Sequence, residues 1–140
     1  MLVLGVLGGA SAQDEQALLG PGMYVFQTRT RSATCGDDER TGYVSTFVAP
    51  IHGVPGSPTM RMQLLNSPYF SQWTITVTAE MHVIGDATQT GQASPNAPTN
   101  HFDVTRRGDR FVGTGVRRYR SGGRACEVQF DALLRQIDLL

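Results

Sequence analysis

Two glycine turns in the last third of the chain constrain its fold more than any other feature. Arg107-Gly108-Asp109-Arg110 and Ser121-Gly122-Gly123-Arg124 each set two turn-forming residues between runs rich in β-branched and aromatic side chains. That is the pattern of a two-residue β-hairpin, in which glycine supplies the left-handed backbone the turn demands. Counting outward from the first turn sets Val104 opposite Gly113, Asp103 opposite Thr114 and Phe102 opposite Gly115. Counting from the second sets Tyr119 opposite Cys126, Arg118 opposite Glu127, Arg117 opposite Val128 and Gly115 opposite Phe130.

The two counts agree on sidedness, although neither constrains the other. One face collects Phe102, Val104, Phe111, Tyr119, Cys126, Val128, Phe130 and Ala132, which is a core face. The other collects His101, Asp103, Thr105, Thr114, Arg118, Glu127, Gln129 and Asp131, with Val112 and Val116 as exceptions, and reads as a solvent face with Arg118 and Glu127 as a cross-strand ion pair. Gly115 falls on the core face between Phe102 and Phe130, whose rings are expected to cover its bare backbone.

Upstream, residues 72–84 (QWTITVTAEMHVI) alternate without interruption. Trp73, Ile75, Val77, Ala79, Met81 and Val83 share one side, and Thr74, Thr76, Thr78, Glu80 and His82 the other, so the stretch reads as one strand of about 40 Å at roughly 3.3 Å per residue. Residues 23–32, 42–51 and 60–65 read as further strands, with Tyr43, Phe47 and Val48 as core candidates in the second and Met60, Met62 and Leu64 on one face of the third. Pro50 is expected to close the second strand. Residues 85–100 lose all periodicity and read as a long exposed loop, and residues 133–140 as a final short helix or tail.

The sum is seven or eight strands joined mainly by short turns. This predicts an all-β chain forming a single antiparallel β-barrel, an up-and-down meander of lipocalin-like or calycin-like form, with a β-sandwich as the alternative.

A length of 140 residues with 40% hydrophobic content suits one core and one domain. The net charge of zero and pI of about 6.8 give no general attraction to nucleic acid or an anionic membrane. Residues 1–12 form a short apolar run ending in Ala10-Ser11-Ala12, the small-x-small shape of a secretory cleavage site without its basic start. They are read as a truncated signal peptide before a domain at 13–140, which predicts a secreted or periplasmic protein. The run is too short to span a bilayer, which takes about 20 apolar residues, so the chain is not expected to be transmembrane. Cys35 and Cys126 then predict one disulfide tying an early element to the last strand.

Catalytic signatures are missing: there is no G-x-S-x-G, H-E-x-x-H, phosphate-cradling glycine loop or C-x-x-C. His52, His82 and His101 fall on different elements, and a non-enzymatic protein without cofactor or metal is expected. Met60, Met62 and Met81 are soft copper ligands by type, as are the imidazoles of His82 and His101, but the methionines share faces with Leu64 and Trp73 and read as core filler. Asp37, Asp38 and Glu39 are adjacent rather than alternating, so they read as a solvated turn and not a calcium loop. Arg107-Gly108-Asp109 spells an adhesion tripeptide, yet a hairpin requires Gly-Asp there.

The arginines are more informative. Arg106, Arg107, Arg110, Arg118 and Arg120 crowd into one meander, a locally basic surface suited to an anionic envelope component. Arg117 stands apart, because the register puts it on the core face between Gly115 and Tyr119. A buried cation must be compensated, by stacking on an aromatic such as Trp73, by an acid, or by an anionic ligand.

Arg117-x-Tyr119, inward on a late strand, is similar in spacing to the Arg-x-Tyr pair with which fatty-acid-binding β-barrels grip a carboxylate, a resemblance over three residues of the 140. Lipocalin-type barrels also use a late-strand arginine across a tryptophan at the closed end, and here Gly22-Met23-Tyr24 stands where their Gly-x-Trp would be. The leading expectation is an exported barrel that binds a small apolar or carboxylated molecule. Arg117 and Tyr119 form its polar grip, and Trp73, Phe102, Phe111 and Phe130 its lining. The rival is an envelope interaction or inhibitor module with a solid core and an Arg-rich contact face.

Overall fold

The structure, a computed structural model, describes residues 19–36, 40–78 and 81–137. The expected signal peptide and the acidic turn at Asp37, Asp38 and Glu39 lie outside these residues. Eight strands follow one another: β1 (Gly22–Ala33), β2 (Val44–His52), β3 (Thr59–Gln63), β4 (Gln72–Val77), β5 (His82–Thr88), β6 (Thr99–Arg107), β7 (Arg110–Ser121) and β8 (Arg124–Gln136). Each pairs antiparallel with the next, and β8 returns to β1, so the sheet closes into an up-and-down barrel. Closure leaves each strand with a neighbour on both sides, although β2 and β3 pair over only two positions.

The register of the last hairpins is the one the glycine turns dictate. Phe102 pairs with Gly115 and Val104 with Gly113, while Arg117 pairs with Val128 and Tyr119 with Cys126. Gly122 and Gly123 both take positive φ, 60° and 80°, as their turn requires. The Cys35–Cys126 disulfide forms, with Cα atoms 5.6 Å apart, and staples the chain just beyond β1 to β8.

Four expectations need correction. Residues 72–84 are not one strand: β4 ends at Val77 and the antiparallel β5 begins at His82, with Met81 before it at a φ of 61°. Val77 pairs with Val83 and Ile75 with Gly85, so odd residues meet odd residues and the two strands share one inward parity. An alternation test cannot see such a break. The expected loop at 85–100 is shorter, because Gly85, Asp86, Ala87 and Thr88 belong to β5 and Thr99 and Asn100 to β6. Small polar residues hid those strand ends. The described part of the last segment, residues 133–137, is no helix: β8 runs to Gln136, where it pairs with Tyr24 of β1 and completes the closure. Tyr43 lies exposed before β2, Val48 is exposed within it and Pro50 lies inside the strand, so the buried residues there are Ala49, Pro50 and Ile51.

The two halves of the barrel differ. At the end where β1 begins, Leu19, Tyr24, Phe111 and Leu134 are buried, and the Tyr24 hydroxyl donates to the Gly20 carbonyl at 2.7 Å. The Arg106 guanidinium covers the Phe111 ring at 5.8 Å. The arginine of the closed end is therefore Arg106, turned inward on β6, rather than Arg117. At mid-height Phe26, Trp73 and Phe102 meet with ring centroids 4.9 to 5.7 Å apart and form a floor across the interior. Burial of each Phe ring contributes about 1.5 to 3 kcal/mol by transfer energy.

Candidate functional site

Above the aromatic floor the barrel is hollow. A cavity of about 430 Å³ opens at the end formed by the β1–β2, β3–β4, β5–β6 and β7–β8 connections. That size lies within the range of small-molecule sites, about 300 to 1,000 Å³. Its apolar lining comes from Phe26, Phe47, Leu64, Phe70, Trp73, Val128 and Phe130, and its polar lining includes Thr28, Thr30, Ser45, Asn100, Arg117 and Tyr119. Tyr69, Gln89 and Pro98 contribute from the loops.

The strands place these groups by simple alternation. Phe26, Thr28 and Thr30 are successive inward positions of β1, and Arg117 and Tyr119 successive inward positions of β7. A register shift between Thr30 and Ser32 marks a bulge where β1 leaves the cavity wall. Arg117 is half-buried, and its guanidinium lies over the Tyr119 ring, 5.3 Å from the centroid. This cation–π contact is one of the compensations expected of an inward arginine, with Tyr119 in the part foreseen for Trp73. The Trp73 indole instead packs in the floor and donates from Nε1 to the Phe70 carbonyl at 2.8 Å. Tyr119 is held in turn by its partner Cys126, half of the disulfide at the rim.

Of the six expected ligand-binding residues, Arg117, Tyr119, Trp73 and Phe130 line the cavity. Phe102 and Phe111 do not. Phe102 is wholly buried in the floor, and Phe111 lies near the start of β7, two inward positions before Gly115, the partner of Phe102, at the closed end. A core-face pattern reports burial without telling which height of a barrel is filled and which is hollow. Asn100 was missed. The count from the first glycine turn reaches it as the partner of Arg117 one step after His101–Val116. Its side-chain Oδ1 is buried and has no hydrogen-bond partner among the described residues.

The arginine-rich meander does not present one surface. Arg107 and Arg110 bracket the turn at the closed end, and Arg106 points inward there. Arg118 and Arg120 face outward near the open end, Arg118 paired with Glu127 at 3.1 Å and Arg120 bonded to the Gly123 carbonyl. Gln129 and Arg118 together hold the Glu127 carboxyl below its ordinary range.

The imidazoles lie elsewhere. On the outer face of β5–β6, His101 bonds Asp86 at 2.7 Å and His82 bonds Asp103. Among the described residues, no three His, Cys, Asp or Glu side chains gather in a metal-binding group. Met60 and Met62 are buried in the core.

Fold and site together define an eight-stranded up-and-down β-barrel, solid in one half and hollow in the other, with a cationic group on the hollow wall. Compared with protein-family models, with curated proteins and with solved structures, the chain matches none.

Proposed function

We propose that this protein is an exported, non-enzymatic barrel that binds a short apolar molecule ending in a carboxylate. The observation that carries the reading is Arg117 on the wall of a ligand-sized cavity whose remaining surface is largely aromatic and aliphatic. An anion there meets a guanidinium able to give two parallel hydrogen bonds, while Phe47, Phe70 and Trp73 take the apolar body. The floor limits its length: about 430 Å³ is the volume of roughly fourteen waters at about 30 Å³ each. That favours chains near ten carbons over long ones.

Binding rather than turnover is supported by the chemistry of the described lining, which holds hydroxyls, amides and a guanidinium but no carboxylate or imidazole to act as a general base. Export is supported by the disulfide, since such bridges persist in oxidising compartments. The outward side chains, among them Gln27, Arg29, Arg118, Gln129 and Asp131, enclose an apolar interior, the reverse of the pattern of a membrane-spanning barrel.

The single tryptophan lines the cavity and gives a direct readout. Titrating decanoate against Trp73 fluorescence is expected to give saturable binding, with 1-decanol weaker by about tenfold or more as the charge-assisted contact is lost. Arg117→Ala is expected to remove that preference. The reading fails if decanoate gives no saturable change, or if Arg117→Ala lowers stability and leaves its affinity untouched.

A further inference from the structure

The aromatic rings of this chain are not spread evenly through its interior. Four of the six phenylalanines, the one tryptophan and two of the four tyrosines line the cavity, beside Leu64 and Val128 as its only open-chain aliphatics. Below the floor the proportions reverse. Ile51, Met60, Ile75, Val83, Val104 and Leu134 are buried there, with Tyr24 and Phe111 as the rings. A wall that had only to be apolar could be built from the same aliphatic set. A ring instead turns about two torsions only and stands as a rigid plate. Such a plate carries a negative face and a positive edge, so it favours another ring beyond the area the two bury.

These plates stand where a ligand held at Arg117 must lie. On one side of Arg117 along β7 is Tyr119, whose ring its guanidinium covers. On the other is Gly115, covered by the Phe130 ring so closely that a Cβ there would overlap it. The atoms that follow a carboxylate on Arg117 therefore lie beside these two rings. Further round the wall Phe26 and Phe47, partners across the β1–β2 ladder, stack with centroids 6.2 Å apart and planes inclined at 27°. We infer that the apolar body of the ligand is a planar aromatic ring system, which makes the ligand an aryl-carboxylic acid of one or two fused rings rather than an alkyl acid. Ring contacts with the wall add to its affinity beyond simple transfer from water. A rigid plate also leaves fewer torsions to immobilise than a chain of similar volume.

This inference rests on the carboxylate reading of the cavity, and the test separates the two. Calorimetric titration compares 2-naphthylacetate with its fully saturated decahydro analogue and with decanoate. The first two share the carboxylate and the carbon skeleton, and the saturated acid is the more apolar, so transfer from water alone favours it. 2-Naphthylacetate is nevertheless expected to bind about tenfold more tightly than the saturated acid, the size of one or two ring–ring contacts, and more tightly than decanoate. Phe47→Leu and Phe70→Leu each replace a ring of the wall by an aliphatic group. They are expected to narrow the ratio between the two bicyclic acids, whatever they do to either affinity. Equal affinities for wild type, or a preference for the saturated acid, overturn the inference even if neither variant folds, and so does a ratio that both variants leave unchanged. If decanoate binds through Arg117 in those cases, the carboxylate reading stands alone. If none of the three binds, both fall.

Discussion

Phe102 packs directly on the backbone of Gly85, its partner across the β5–β6 ladder. A Cβ at Gly85 would overlap three atoms of the Phe102 ring, which is itself fully buried. The floor of the cavity therefore depends on a missing side chain.

Gly85→Ala is expected to destabilise the barrel by about 1 to 3 kcal/mol, the cost of forcing one methyl into a packed interior. Gly36→Ala, where a Cβ meets nothing within 4 Å, is its control and should stay within about 0.5 kcal/mol. Urea unfolding followed through Trp73 measures both. Because Phe102 packs against Trp73 with centroids 5.3 Å apart, the Gly85 variant should also shift the tryptophan emission of the folded state.

Asn66 closes a seam. The β2–β3 ladder holds only the pairs Ile51–Met62 and His52–Arg61. Beyond them the Asn66 side chain donates to the Thr46 carbonyl and accepts from the Val48 amide, each at 3.1 Å, in place of a neighbouring strand. Asn66→Ala is expected to cost about 1 to 2 kcal/mol for the two bonds and to speed hydrogen exchange at the Val48 amide above that of the β7–β8 ladder. Unchanged exchange at Val48 would show that the seam is held without it.

The Cys35–Cys126 bridge spans 91 residues. Loss of a cross-link of that separation is expected to lower stability by up to about 4 to 5 kcal/mol in the chain-entropy description. The Cys35→Ala/Cys126→Ala double variant should still fold, since the β1–β8 ladder runs from Tyr24–Gln136 to Ala33–Val128 without it. Denaturant midpoints of the oxidised and double-variant proteins test this. Decanoate affinity should fall as well, because Tyr119 loses the anchored partner at the rim.

Tyr24 makes stability depend on alkaline pH. Burial raises its pKa above the ordinary 10.0, outweighing the opposing effects of the Gly20 hydrogen bond and the Arg106 charge. The folded protein then holds a proton that the unfolded chain releases, so this contribution is complete below pH 10 and is lost as pH rises toward the folded pKa. Tyr24→Phe, which gives up the bond to Gly20, should be less stable at pH 8 but flatter in its unfolding midpoint above pH 10. An alkaline slope equal to that of wild type would refute the assignment to Tyr24.

Much of the architecture was legible because the relevant rules are local. The Gly108-Asp109 and Gly122-Gly123 turns set the hairpin registers, and period-two alternation told inside from outside along β4 and the last three strands. Where local rules are blind, the reading went astray. Alternation did not register the break between β4 and β5 because Val77 and Val83 share parity, and Thr99 and Asn100 looked like loop because their strand pairing is supplied from β5 and β7. The grip pair Arg117 and Tyr119 was found as a misfit on an apolar face. Asn100, two residues from Phe102, carried the same signal and was lost in a polar stretch.

The chain by itself determined an antiparallel all-β meander, its inward and outward sets, the disulfide partners, and one arginine facing the wrong way for a core. Each of these follows from spacing along the backbone and from the alternation of side chains across it. The tertiary structure alone decided closure, which depends on Tyr24 and Gln136 meeting from nearly opposite ends of the sequence. It also decided which half of the barrel is filled. Volume at a given height is a sum over side chains from all eight strands, and no single segment records it. That is why Phe111 and Phe130, alike in the pattern, lie one at a sealed end and the other on the wall of a cavity.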